Sequence, residues 1–100
     1  MIKLALFARL EAKPGKEAAV AAFLEKGLAM AREEATTPIW FALRLSPTTF
    51  GIFDAFENET GREAHLSGPI AQALMANAAE LLAAPPSIEK IEVLGLKNVN

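Results

Sequence analysis

Two neighbouring segments near the middle of the chain, Ile39 to Leu45 and Thr49 to Glu57, are apolar on both of the sides that a strand presents. Ile39, Phe41, Leu43 and Leu45 alternate with Trp40 and Ala42 in the first, and Phe50, Ile52 and Phe56 alternate with Phe53 and Ala55 in the second. Successive strand residues point to opposite faces, so a sheet built on these segments has to be covered on both. Ser46-Pro47-Thr48 between them is short and rich in turn formers, which predicts an antiparallel hairpin. An antiparallel sheet with one face in water alternates more cleanly than this. A chain of 100 residues makes one domain, expected to span 1–100, and has little material for a second layer. The covering for the second face is therefore expected from another copy of the chain, as a homodimer.

The flanking segments complete a pattern. Ile2, Leu4, Leu6, Ala8 and Leu10 are all apolar at alternate positions, the signature of a strand with one buried face. Lys13-Pro14-Gly15-Lys16 follows as a turn, because proline presets φ at its second position and glycine accepts positive φ at its third. From Lys16 to about Glu34 the period becomes helical, with Val20, Phe23, Leu24, Leu28 and Ala31 on one stripe. Gly27 in mid-helix costs about 1 kcal/mol relative to alanine and is read as permitting close approach to the sheet. Thr60-Gly61-Arg62-Glu63 has the form of a capping box opening a short helix that carries His65. Ser67-Gly68-Pro69 breaks it and starts a longer helix, and Ile88 to Leu96 reads as the last strand. The order, strand, helix, strand, strand, helix, strand, predicts an α+β, ferredoxin-like βαββαβ fold: a four-stranded antiparallel sheet with the helices on one face.

Composition narrows the chemistry. A net charge of -2 leaves no positive excess for phosphates, so neither nucleic acid nor an anionic membrane surface is expected as a partner. The absence of cysteine removes disulfides, thiolate nucleophiles and iron–sulfur clusters together. No glycine spacing approaches a dinucleotide or P-loop cradle, and one histidine with scattered carboxylates does not make a metal site, so no cofactor and no metal is expected. The opening apolar run is interrupted by Arg9 and Glu11, which does not suit a secretory leader, and no stretch is long enough to span a membrane; a cytoplasmic protein is expected.

What remains is one imidazole, one acid in an apolar strand and several aromatics. Asp54 lies within Gly51-Ile52-Phe53-Asp54-Ala55-Phe56 and needs a partner to offset its desolvation. A helix starting near Thr60 folds back over the sheet and can bring His65 to it; an acid beside an imidazole sets its tautomer and raises its basicity. The candidate catalytic residues are His65 as base and Asp54 as its orienter, with Phe7, Trp40, Phe53 and Phe56 as candidate substrate-pocket walls. Alanine at His65 is expected to abolish turnover and to leave the fold intact. Arg9 and Arg44 read as solvated edge residues, and Met30 and Met75 as core filler.

Several of these runs resemble one known family. Glu11-Ala12-Lys13-Pro14-Gly15-Lys16-Glu17 after the first strand, Phe50 to Phe56, Ala64-His65-Leu66-Ser67-Gly68, and Pro86-Ser87-Ile88 are similar, in order and spacing, to the antibiotic biosynthesis monooxygenases, in particular quinol monooxygenase-like members. The family has an aromatic–acid pair on the third strand and a helical histidine eleven residues after the acid, as Asp54 and His65 stand here. Where members often carry Glu-Pro-Gly, this chain reads Glu34-Ala35-Thr36, and it has no asparagine before Asn58, which disfavours the haem-degrading branch. The resemblance implies a dimeric α+β barrel and cofactor-independent oxidation of a quinol or polyketide-like aromatic by dioxygen. The alternative is a non-catalytic dimeric module that binds a small hydrophobic molecule, since one fold hosts many functions.

Overall fold

The computed structural model describes residues 1–98. Its elements are β1 (Leu4–Glu11), α1 (Glu17–Arg32), β2 (Ile39–Arg44), β3 (Thr49–Phe56), α2 (Glu59–Leu66), α3 (Pro69–Leu81) and β4 (Ser87–Glu92). The four strands form one sheet in the order β2-β3-β1-β4, with antiparallel pairing throughout. This is the ferredoxin-like βαββαβ arrangement expected from the sequence, with the second helix divided in two at Ser67-Gly68. Among the described residues no helix is long and apolar enough to cross a membrane.

Local chemistry accounts for the boundaries. Gly15 takes φ 85°, and Lys16 N–H donates to the Lys13 carbonyl at 2.9 Å, closing the Pro-Gly turn between β1 and α1. The start of α2 differs from expectation. Asn58 is its N-cap, extended in backbone and accepting from Gly61 N–H through Oδ1 at 2.9 Å, so Thr60 falls inside the helix. The asparagine two residues earlier satisfies one orphan amide of the first turn, the kind of service the sequence assigned to Thr60. The last strand also differs: β4 stops at Glu92, because β1, its sole partner, begins at Leu4 opposite that residue.

The register sorts the sheet into two faces. Leu6, Ala8 and Leu10 of β1 lie beside Asp54, Ile52 and Phe50 of β3 and face the helices, which contribute Val20, Leu24 and Leu74 to one buried core. Met75, next to Leu74 on α3, is exposed and is not the core filler expected. Gly27 performs the role read from the sequence: a Cβ there would stand 3.2 Å from the Trp40 ring, so its absence lets α1 lie against β2. On the opposite face Phe41, Phe53 and Phe7 are register partners in one row across β2, β3 and β1. Phe7 lies over Gly51, where a Cβ would approach it to 3.0 Å, and Arg9 stacks on the Phe7 ring. The helices pack on the other face, and in this row Phe41 is 54% exposed while Phe53 and Phe7 are half-buried.

Candidate active site

Asp54 and His65 meet as expected. His65 is on the last turn of α2 and Asp54 on β3, both buried, with Nε2 and Oδ2 2.8 Å apart. A second carboxylate, which the sequence pattern does not single out, occupies the other end of the ring: Glu34 Oε1 lies 2.6 Å from His65 Nδ1. Glu34 stands in the turn after α1, and the Thr37 hydroxyl donates to the same Oε1 at 2.9 Å. A tight fit against α2 holds this turn in place. Gly61, one helical turn before His65, has no room for a Cβ, which would sit 2.9 Å from the Thr36 carbonyl oxygen. Gly61 and His65 share a face because they are four residues apart on a helix. Arg62 fastens the same helix to the sheet, donating to Glu59 at 3.0 Å and to the Ala5 and Ile91 carbonyls at 3.4 Å.

The Glu34 signal is present in the sequence, though faint. An acid at a helix C-terminus opposes the helix dipole, so Glu34 at the end of α1 calls for a compensating partner. That partner is 31 residues away.

With both ring nitrogens against carboxylates, the cluster accommodates two protons between its three groups. A neutral imidazole donates at one nitrogen and accepts at the other, and a carboxylate anion cannot donate to it. The ring is therefore imidazolium, or one carboxyl is protonated; in both cases the cluster carries one net negative charge. The pKa of His65 is raised above 6.5. Burial, the largest single influence, pulls it down, but hydrogen bonds to Asp54 and then Glu34, together with their charges, outweigh it. The C-terminal end of α2 also favours the cation.

A pH dependence of folding follows. Because the folded value is raised, this contribution to stability is fully present below pH 6.5 and is lost as pH rises through the folded value. The melting temperature is expected to fall as pH is taken through neutrality into the mildly alkaline range, and His65→Gln should flatten that slope. A wild-type melting temperature that is constant or rising over this range would reject the imidazolium assignment.

Beside the cluster is a cavity of about 40 Å³ between sheet and helices. Asp54 and His65 line one part of it, and Leu6, Ile52, Ile70 and Leu74 are among its apolar walls. Asp54 Oδ1, Glu34 Oε2 and Trp40 Nε1 are buried without a hydrogen-bond partner among the described residues. The two carboxylates take opposite ends of the ring instead of converging, and among the described residues no group of three or more such ligands is placed to hold a metal.

The four aromatics expected as pocket walls are not brought together. Trp40 and Phe56 lie on the helix face with Asp54, whereas Phe7 and Phe53 lie on the open face. Neighbouring apolar residues of a strand necessarily part to opposite sides. None of the four lines the cavity beside Asp54 and His65.

This fold recurs in a solved structure. NE2512 from Nitrosomonas europaea, described as a protein of unknown function, is 62% identical to this chain, with a TM-score of 0.96 over 98% of this chain and 95% of that one. The chain belongs to one family with NE2512. More distant structures bear the name putative antibiotic biosynthesis monooxygenase, two of which illustrate the match. The one from Nitrosomonas europaea is 16% identical, with a TM-score of 0.81 over 92% of this chain and 90% of that one. The other, from Caulobacter crescentus, is 15% identical, with a TM-score of 0.80 over 94% and 92%. The NE2512 relative and this chain thus share the fold of the antibiotic biosynthesis monooxygenases, as the sequence resemblance implied. No family model matches the sequence, and no curated protein does.

Proposed function

We propose that the protein oxidises a hydroquinone or polyketide-like aromatic with dioxygen, without a bound cofactor, as a cytoplasmic homodimer. The observation that carries this reading is the buried carboxylate–imidazole–carboxylate cluster beside an apolar cavity, in a fold shared with proteins named putative antibiotic biosynthesis monooxygenase. Dioxygen is a triplet and reacts slowly with closed-shell molecules, so an enzyme without flavin or metal needs a substrate that becomes an electron-rich anion. The cluster accepts the hydroxyl proton. The anion passes one electron to dioxygen, the two radicals combine into a carbon-bound peroxide, and loss of water leaves a carbonyl. One oxygen atom enters the product and the other leaves as water, with all four electrons supplied by the substrate. The apolar walls exclude bulk water from the anion.

The cavity admits a hydroxyl or dioxygen but not a ring, which needs about 150 Å³. Only the hydroxyl end of such a substrate fits the cavity between Leu6, Ile52, Ile70 and Leu74. Oxygen uptake by metal- and flavin-free protein, over a panel of hydroquinones and phenolic polycycles, tests the reading. The expected result is one labelled oxygen per product from ¹⁸O₂; rates equal to the uncatalysed oxidation across the panel would reject it.

The homodimer is supported by the row of Phe41, Phe53 and Phe7 on the sheet face away from the helices, with Phe41 exposed, an apolar face of the kind that monomers seldom leave in water. Light scattering is expected to give twice 10.7 kDa for the wild type and a monomer for Phe53→Asp. A wild-type monomer at micromolar concentration would remove the claim.

A further inference from the structure

The sequence pattern makes His65 the base and Asp54 its orienter, yet neither ring nitrogen is free. Nδ1 is held by Glu34 and Nε2 by Asp54, so a substrate proton finds no open lone pair on the ring without breaking one of these bonds. The carboxylates offer the vacant acceptors: Asp54 Oδ1 and Glu34 Oε2 are both buried without a partner among the described residues, and of these two residues Asp54 lines the cavity and Glu34 does not. Asp54 is 2% exposed, lines the cavity, and has one oxygen, Oδ1, that is buried without a partner among the described residues. An unpartnered buried carboxylate oxygen costs free energy, and a donor brought by a ligand would recover it. The cluster already holds a net negative charge, so that donor belongs to a neutral molecule and not to an anion.

We propose that Asp54, through Oδ1, is the group that accepts the substrate's hydroxyl proton, and that Glu34 is a positioning residue that keeps His65 doubly protonated behind it. This inference rests on the reading of the site as a proton-abstracting one. In the step, the substrate O–H bond breaks and an Oδ1–H bond forms. The electron pair stays on the substrate oxygen, and the imidazolium remains as the countercharge for the new anion. The total charge of cluster and substrate is unchanged, so no charge has to enter or leave a buried site during the step. The site's ligand class follows: a neutral hydroxyl donor on an apolar body.

Other charged groups do not disturb the assignment. Of the elements packed on α2, β3 carries Asp54 as its sole titratable residue; on β1, Arg9 and Glu11 are exposed, and Glu80 of α3 is exposed. On α2 itself, Arg62 pairs with Glu59, and Glu63 pairs with Lys90 of β4 at 3.4 Å.

His65 is the only histidine, so its ring signals in an ¹⁵N spectrum of the whole protein need no assignment by mutation. At pH 7 both nitrogens are expected to be protonated; one bare nitrogen would overturn the proposal. The ligand probe is 2-naphthol, a neutral hydroxyl donor, with 2-naphthoate as its anionic counterpart. Naphthol is expected to bind the wild type and to shift the carboxyl carbon signal of Asp54 but not that of Glu34. Asp54→Asn should weaken binding at least about 10-fold, and naphthoate should not compete. Glu34→Gln should leave naphthol binding within a few-fold while moving the His65 titration midpoint downward, a change that a merely structural residue would not produce. If Asp54→Asn does not fold, the Asp54 carbon signal in the wild type decides the question by itself. Equal binding by wild type and Asp54→Asn, binding by neither, or an unmoved Asp54 signal overturns the assignment. On an oxidisable hydroquinone Asp54→Asn should lose roughly 100- to 10,000-fold in rate. A wild type that binds naphthol through Asp54 yet oxidises no hydroquinone would reject the oxidation and leave this assignment standing.

Discussion

Replacing His65 by alanine is expected to destabilise the protein by about 3–5 kcal/mol at neutral pH, the usual cost of removing one partner from a buried ion pair. The sequence alone leads to the opposite expectation, an intact fold, because a short helix tolerates alanine and His65 looks like a solitary functional group. Two carboxylates change the outcome. Asp54 is 2% and Glu34 14% exposed at the side chain, and each loses its nearest hydrogen-bond donor when the ring is removed. Two negative charges then share one poorly solvated site. For a domain of this size the loss corresponds to a drop of roughly 15–30 °C in melting temperature. Thermal melts of wild type and variant at neutral pH are the measurement. A variant within about 1 kcal/mol of wild type at neutral pH would show that the cluster does not depend on the imidazole for its charge balance.

Phe56→Ala should cost a similar amount, about 3–5 kcal/mol, for a different reason. Phe56 is fully buried, and its ring centroid lies 5.5 Å from that of His65, so it is both core and floor beneath the imidazole. Truncation leaves a cavity that the surrounding sheet cannot close, because its neighbours are fixed in the ladder. Phe53, three residues earlier, offers the contrast. It belongs to the sheet face away from the helices, so the effect of Phe53→Ala should emerge mainly as a change in how stability depends on protein concentration. Denaturant titrations at two concentrations separate the cases. A loss for Phe56→Ala below about 1 kcal/mol would place this ring outside the core.

The aromatics illustrate where sequence reasoning ends. That Trp40 and Phe53 are both apolar is visible at once, but which of them shares a face with Asp54 depends on register. A shift of one residue would exchange every side chain between the two faces. Only the pairing of Trp40 with Asp54, and of Phe41 with Phe53 and Phe7, decides that the first lies under the helices and the others do not. The start of α2 escapes sequence reasoning for a related reason, since Asn58 and Thr60 are both competent caps and the path of the chain out of β3 selects between them.

The amino-acid sequence by itself determined the kinds of element and their order, because alternation and helical period are local properties carried by a few adjacent residues. It also pointed to the meeting of Asp54 and His65, since a strand running to Glu57 and a helix opening near Thr60 return the chain over the sheet. The tertiary structure alone decided that Glu34 completes the cluster. Its bond to His65 joins positions 31 residues apart, and it exists because the turn after α1 packs on the bare face of Gly61. No local pattern encodes that approach; it depends on how α1, the sheet and α2 settle against one another.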